Sequence, residues 1–271
     1  MHILDKIIQH KLQEVEQRKS LFPQKLLEQS IYFETPSVSM KKYLLREDRW
    51  GVIAEFKRKS PSKGPINPHA SVERVSIGYM QAGASALSVL TDEHFFGGKN
   101  EDLITARKFN FCPILRKDFI IDEYQILEAK SIGADVILLI AAALEQDTTK
   151  ALAAFAKSLG LEVLLEVHNL SELEQHISQH VDLIGVNNRD LKTLKVNVAT
   201  SKQLAAHIPD DFIKVSESGI QDAETIGELR EFGFKGFLIG QNFMAHSRPE
   251  KKCREFINRL KALSPSKNPD K

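Results

Sequence analysis

The chain has 271 residues, 42% of them hydrophobic and 27% charged, with a formal net charge of +1. It is long enough to bury a large core without a disulfide or a metal, and its charge balance gives no overall bias toward nucleic acid or an anionic membrane. No apolar run approaches the roughly 20 residues that span a bilayer, and Cys112 and Cys253 read as packing residues of a reduced, cytoplasmic protein.

Residues 3–19 place Ile3, Leu4, Ile7, Ile8, Leu12 and Val15 at helical spacing with charges between them, which predicts an amphipathic helix with one buried face. Charges inside this apolar stretch argue against a secretory signal. A second short helix is predicted over 23–30 and a third over 38–46, separated by Pro36 and Ser37. Residues 1–47 thus form a helical extension ahead of a repeating pattern. That pattern begins after Trp50, with strands predicted at 52–56, 86–90, 113–116, 135–140, 162–166, 183–186, 212–215 and 236–239. Each is short and rich in Val, Ile or Leu, as suits strands buried on both faces of a parallel sheet. Helix-length stretches such as 124–131, 146–158 and 223–231 lie between them. Asp122, Asp147, Ser171 and Asp222 are predicted N-caps, and Gly83, Gly133, Gly160 and Gly233 stand where left-handed C-caps are wanted. Unbroken βα alternation predicts a (β/α)8 TIM barrel over residues 48–263, close to the usual length of about 250 residues. The tail 264–271 is polar, contains proline and reads as disordered.

Several strands end in residues suited to chemistry, and the C-terminal face of such a barrel is where that chemistry occurs. Glu55 and Lys57 in VIAEFKRKSPSKG are two apart, so they share one side of the first strand. An isolated Glu-x-Lys is more often a surface ion pair, but the preceding Val-Ile-Ala run makes this one a strand end. Lys117 follows PILR and suits a general acid, a Schiff-base nucleophile or an anion anchor. Glu166 ends VLLE and needs a cationic partner if buried, which Lys57 or Lys117 could supply across the barrel. Ser60, in the loop after the first strand, is placed to meet an anionic group. Gly219 in SESGI and Gly240 ahead of Gln241 follow the seventh and eighth strands, where barrel enzymes commonly bind phosphate. His176 and His180 have i, i+4 spacing without a third ligand nearby, so they read as a solvated helix face. No dinucleotide fingerprint and no P-loop is present, so neither a cofactor nor a metal is expected.

The stretches IAEFKRKSPSKG, SVLTDEHFFGG, PILRKDFIIDEYQI, LLEVHN, IGVNNRDL and SESGI occur in one order. Together they resemble the indole-3-glycerol phosphate synthases, from the N-terminal helix to the last barrel helix. The resemblance implies a carbon-carbon lyase of tryptophan biosynthesis. Its reaction is ring closure, decarboxylation and dehydration of 1-(2-carboxyphenylamino)-1-deoxyribulose 5-phosphate. It further implies Lys117, Glu166, Lys57 and Glu55 as catalytic residues, with the acid role divided in an unspecified way between Lys57 and Lys117. Asn187, Arg189, Glu217, Ser218, Phe96 and Phe119 would bind substrate. Ser60, Gly219, Gly240 and Gln241 would bind its phosphate. The extension 1–47 would cover the barrel mouth. The implied partner is a small molecule, with no nucleic acid and no membrane, and a monomer is expected. Two positions depart from the family pattern: Gln241-Asn242 after the last strand, and Arg116 before the lysine, which alternation points away from the interior. A phosphosugar isomerase barrel working through a cysteine and an aspartate is the nearest rival. It would need a cysteine ending the first strand, whereas Cys112 stands at the third.

Overall fold

A computed structural model describes residues 3–191 and 193–263, so the predicted disordered tail lies outside the described residues. Eight parallel strands close into a barrel: β1 (Val52–Phe56), β2 (Ala86–Leu90), β3 (Ile114–Lys117), β4 (Val136–Ile140), β5 (Glu162–Val167), β6 (Leu183–Asn187), β7 (Ile213–Glu217) and β8 (Gly236–Ile239). Neighbours pair in sequence order, and β8 returns to β1 through registers such as Ile53 with Leu238. The (β/α)8 architecture expected from the alternating pattern is therefore present. Four strands run farther than predicted: β5 gains Val167, and Lys117, Asn187 and Glu217 are strand residues rather than loop residues. Cys112 lies in a bend ahead of β3 and Cys253 in the last helix, and both are buried free thiols.

Alternation along each strand sorts the side chains. Ile53, Ala86, Leu115, Val136, Leu164, Leu183, Ile213 and Leu238 fill the barrel interior as one apolar cluster. Val52, Ala54, Val89, Ile114, Ile137, Val163, Ile184 and Phe237 face outward. They pack under a ring of helices: α4 (Val72–Ala82), α6 (Asn100–Phe109), α7 (Glu123–Ser131), α8 (Gln146–Ser158), α9 (Leu170–His176), α10 (Ala199–Leu204), α11 (Ala223–Glu231) and α13 (Pro249–Leu263). The short α5 (Glu93–Phe96) and α12 (Gln241–Met244) sit in loops above β2 and β8. Asp122 and Asp222 cap α7 and α11 as expected, accepting from Tyr124 and Thr225 amides. Asp147 and Ser171 do not cap. Asn169 takes that role on α9, and Asp147 lies inside the first turn of α8. His176 is buried and bonded to the Thr149 hydroxyl at 2.9 Å, and α9 ends there, so the two histidines form no solvated helix face.

The extension holds α1 (Ile3–Leu21), α2 (Gln24–Leu27) and α3 (Met40–Leu44), and it reaches both ends of the barrel. Helix α1 lies beside the loops after β2 and β3 and is tied to α7 by Tyr124, whose hydroxyl donates to the Arg18 and Phe22 carbonyls. Its buried stripe is Ile7, Lys11 and Val15, while Leu12, expected on the buried face, is 55% exposed. Helix α3 closes the opposite end, where Met40 and Leu44 join the interior cluster. There Glu162, at the start of β5, accepts from the Met40 and Lys41 amides at 2.7 and 3.1 Å and binds the Ser39 hydroxyl at 2.5 Å.

Candidate active site

Above the apolar filling, the interior positions of successive strands change from carbon to charge. Glu55 is buried, and Lys57, two residues on and on the same side, meets it at 2.6 Å. Lys117, ending β3, reaches across the mouth to Glu166 of β5 at 2.6 Å and Glu217 of β7 at 2.8 Å. The sequence left Glu166 with two possible partners, and Lys117 is the one that reaches it. Asn187 of β6 donates to the other Glu166 oxygen at 3.0 Å and accepts from the Arg189 amide at 3.0 Å. Arg189 pins the following loop through the Leu194 carbonyl and a bridge with Val196.

Two glycines make room for these carboxylates. A Cβ on Gly185 would come within 2.2 Å of Glu217 Oε1, and one on Gly240 within 2.2 Å of Glu55 Oε1. Gly240 thus has a steric task beside any contact with a ligand.

The electrostatics follow from many charges in little water. Burial alone would raise the Glu166 carboxyl, but Lys117 and His168 outweigh it and hold the group well below the usual carboxylate range. Burial alone would likewise lower Lys117, but Glu166, Glu217 and Glu55 keep it above an ordinary lysine, so it is charged at neutral pH. Glu217 goes the other way. Burial, with Glu166 and Glu55 nearby, pushes it up to about 7 despite Lys117. Its Oε1 has no hydrogen-bond partner among the described residues. Such groups are costly to bury and are typical of sites that await a ligand.

The rim carries the remaining candidates. Phe96 and Phe119 stand with ring centroids 5.8 Å apart, tilted by 36°. Ser60 is buried in a small hairpin after β1, with its hydroxyl 3.4 Å from that of Ser62. Ser218 holds a left-handed φ of 66°, rare for a residue with a side chain, and Gly219 follows at 82°. Gln241 opens α12 above β8, and Asn242 donates to the Gln221 carbonyl at 2.7 Å, joining the last two loops. Arg116 points outward, as alternation requires, and donates beneath α7 to the Gln125 carbonyl at 2.8 Å and Glu128 at 2.6 Å.

Sequence reasoning missed His168 and Asn188. His168 lies 3.4 Å from Glu166 and 3.0 Å from Glu172. Burial would lower it, but these two carboxylates raise it to about 10. The same period-two rule that joined Glu55 to Lys57 would have joined Glu166 to His168, had the strand been carried past Glu166. Asn188 is buried and donates to Ser216 Oγ and the Ser218 carbonyl, both at 3.0 Å, holding the strained Ser218 turn. Nothing in its local sequence distinguishes it from Asn187.

A family model described as indole-3-glycerol phosphate synthase matches residues 4–256. A Bacteroides thetaiotaomicron protein named indole-3-glycerol phosphate synthase is 49% identical over 258 residues, covering 95% of this chain and 98% of the relative. Proteins of the same name from Caldanaerobacter subterraneus and Magnetococcus marinus are 41% and 42% identical, each covering 96% of this chain and 99% of its own length.

Proposed function

The chain belongs to the indole-3-glycerol phosphate synthase family, and from that premise we propose how its residues close the pyrrole ring of 1-(2-carboxyphenylamino)-1-deoxyribulose 5-phosphate. The products are indole-3-glycerol phosphate, carbon dioxide and water. The observation that carries the assignment of roles is the Lys117 ammonium shared by Glu166 and Glu217 at the mouth.

The aromatic carbon bearing the carboxylate attacks the ribulose carbonyl, and negative charge develops on the carbonyl oxygen. Lys117 donates its proton there. Its neighbours keep it protonated at neutral pH, and the developing alkoxide is the stronger base that draws the proton away. Loss of carbon dioxide restores the ring electrons. The hydroxyl then leaves as water after one proton is delivered to it, while the neighbouring methylene carbon gives up a proton to form the double bond. Glu166, held ionised by Lys117 and His168, stabilises the cationic intermediate and takes part in these later transfers. Lys57 and Glu55 complete the charged ring as a second ammonium–carboxylate pair.

Two anchors hold the flexible substrate for this closure, which lowers its entropic barrier. Phe96 and Phe119 receive the anthranilate ring. Ser60, Gly219, Gly240 and Gln241 receive the phosphate. Asn187, Ser218 and Glu217 hold the sugar portion between them, and Arg189 orders the adjoining loop. Helix α1 covers part of the mouth. We read the protein as a cytoplasmic monomer with no nucleic-acid partner, consistent with its net charge of +1. Among the described residues no helix is long and apolar enough to cross a membrane.

The test is fluorescence-monitored formation of indole-3-glycerol phosphate by the parent and by Lys117→Ala. The parent should turn over, and the folded variant should bind substrate yet lose activity by about 10³-fold, within the range for removing a general acid. A fully active Lys117→Ala would overturn the role, and a folded parent without product would overturn the reaction.

A further inference from the structure

Lys11 is the middle residue of the buried stripe Ile7, Lys11 and Val15, a position where helix periodicity calls for carbon. Its side chain is wholly buried. Its ammonium lies 3.0 Å from Asp92, 3.0 Å from Asp118 and 2.9 Å from Glu14. Burying an ammonium and two carboxylates gives no stability advantage over well-packed apolar residues. What the carboxylates do otherwise is therefore informative. Asp92 ends the β2 loop and accepts from the Phe95 and Phe96 amides at 2.8 and 3.2 Å. Asp118 directly follows Lys117 and accepts from the Phe119 amide at 2.8 Å. Its other oxygen takes the Thr91 hydroxyl at 2.6 Å and Arg116 at 3.2 Å. Asp118 thus retains a cation without Lys11. Asp92, among the described ion pairs, has Lys11 alone.

We propose that Lys11 is a positioning residue for substrate binding, one ammonium of the N-terminal helix that fixes the two aspartates orienting Phe96 and Phe119. This rests on the reading that those rings receive the anthranilate moiety. It adds that the first helix sets the aromatic pocket electrostatically, from behind the backbone, without touching the ligand. Without Lys11, the uncompensated Asp92 carboxylate is drawn toward water and the turn carrying Phe96 moves with it.

The test compares the parent, Lys11→Met and Lys11→Met/Asp92→Asn. The double variant removes the stranded charge but keeps an oxygen that can cap the same amides. Hydrogen exchange at the Phe95 and Phe96 amides should rise roughly tenfold in Lys11→Met and return toward the parent in the double variant, with a smaller rise at Phe119, whose acceptor Asp118 keeps Arg116. With substrate, KM should rise about tenfold in Lys11→Met while kcat changes little, the pattern of lost uniform binding, and the double variant should recover most of it. Unchanged exchange at these amides, or an unchanged KM in an active protein, would overturn the proposal, and so would a double variant as impaired as the single one. A parent that makes no product counts against the proposed reaction only, because the exchange measurement still decides whether Lys11 orders the two turns. If Lys11→Met does not fold, Lys11→Gln is read in the same way, with a smaller shift expected.

Discussion

The two ends of the barrel both bury carboxylates, but they satisfy them differently. At the N-terminal end, Asp135 accepts from the Val38 and Ile114 amides, each at 2.7 Å, and from Arg107. Glu162 holds the first turn of α3, and Asp182 joins the Val163 amide to Lys157. Each of these groups accepts from at least one backbone amide, beside the side chain it holds. At the C-terminal end, Glu55, Glu166 and Glu217 bind side chains instead, and one Glu217 oxygen has no hydrogen-bond partner among the described residues. A carboxylate that caps amides fixes the fold. Carboxylates sharing one lysine, with an oxygen to spare, form a site that a substrate can reorganise.

That contrast can be broken experimentally. Asp135→Ala should have the largest effect on stability, about 3 kcal/mol, because it removes the acceptor of the buried Ile114 amide, the half-buried Val38 amide and one Arg107 nitrogen. Its kcat/KM at a temperature where it is folded should match the parent. A folded variant with parental stability would mean that the lower end is not held as described.

His168→Gln probes the upper end. Its folded value of about 10 lies above the ordinary 6.5, so its contribution is fully present below about 6.5 and lost as pH rises through about 10. The variant should melt below the parent at pH 6, by on the order of 2 kcal/mol after allowing for partial solvent screening. The gap should close toward pH 10, and a gap independent of pH would contradict the His168–Glu166 pairing.

Glu217→Gln should give the smallest shift. The folded carboxyl at about 7 binds more protons than an unfolded one near 4.5, so the parent loses stability as pH rises across that window. The variant, which cannot ionise, should gain on the parent between pH 5 and pH 8, by on the order of 1 kcal/mol. Melting curves with a constant difference would show that Glu217 does not titrate there.

Much of this division was legible beforehand because period two is a strong rule. It placed Glu55 with Lys57 and turned Arg116 away from the mouth, and both follow from strand geometry alone. The strand ends were less legible, since polar residues such as Lys117, Asn187 and Glu217 look like loop while barrel closure keeps them in register. Lys11 was illegible for another reason. Helical periodicity assumes that buried means apolar, and the partners that reverse this at Lys11 lie in distant loops. The cap on α9 went to Asn169 rather than Ser171 because neighbouring polar residues compete for one helix start.

The most direct test uses β5 alone, where Glu162 and Glu166 share the inward side at opposite ends of one strand. Glu162→Gln and Glu166→Gln change the same chemistry, so turnover and thermal midpoint should be measured for both under one set of conditions. The account predicts that Glu166→Gln, read where it is folded, loses turnover, while Glu162→Gln melts earlier than the parent and turns over normally. Equal loss of turnover in both variants, or the reverse assignment, would contradict the separation of a holding end from a reacting end.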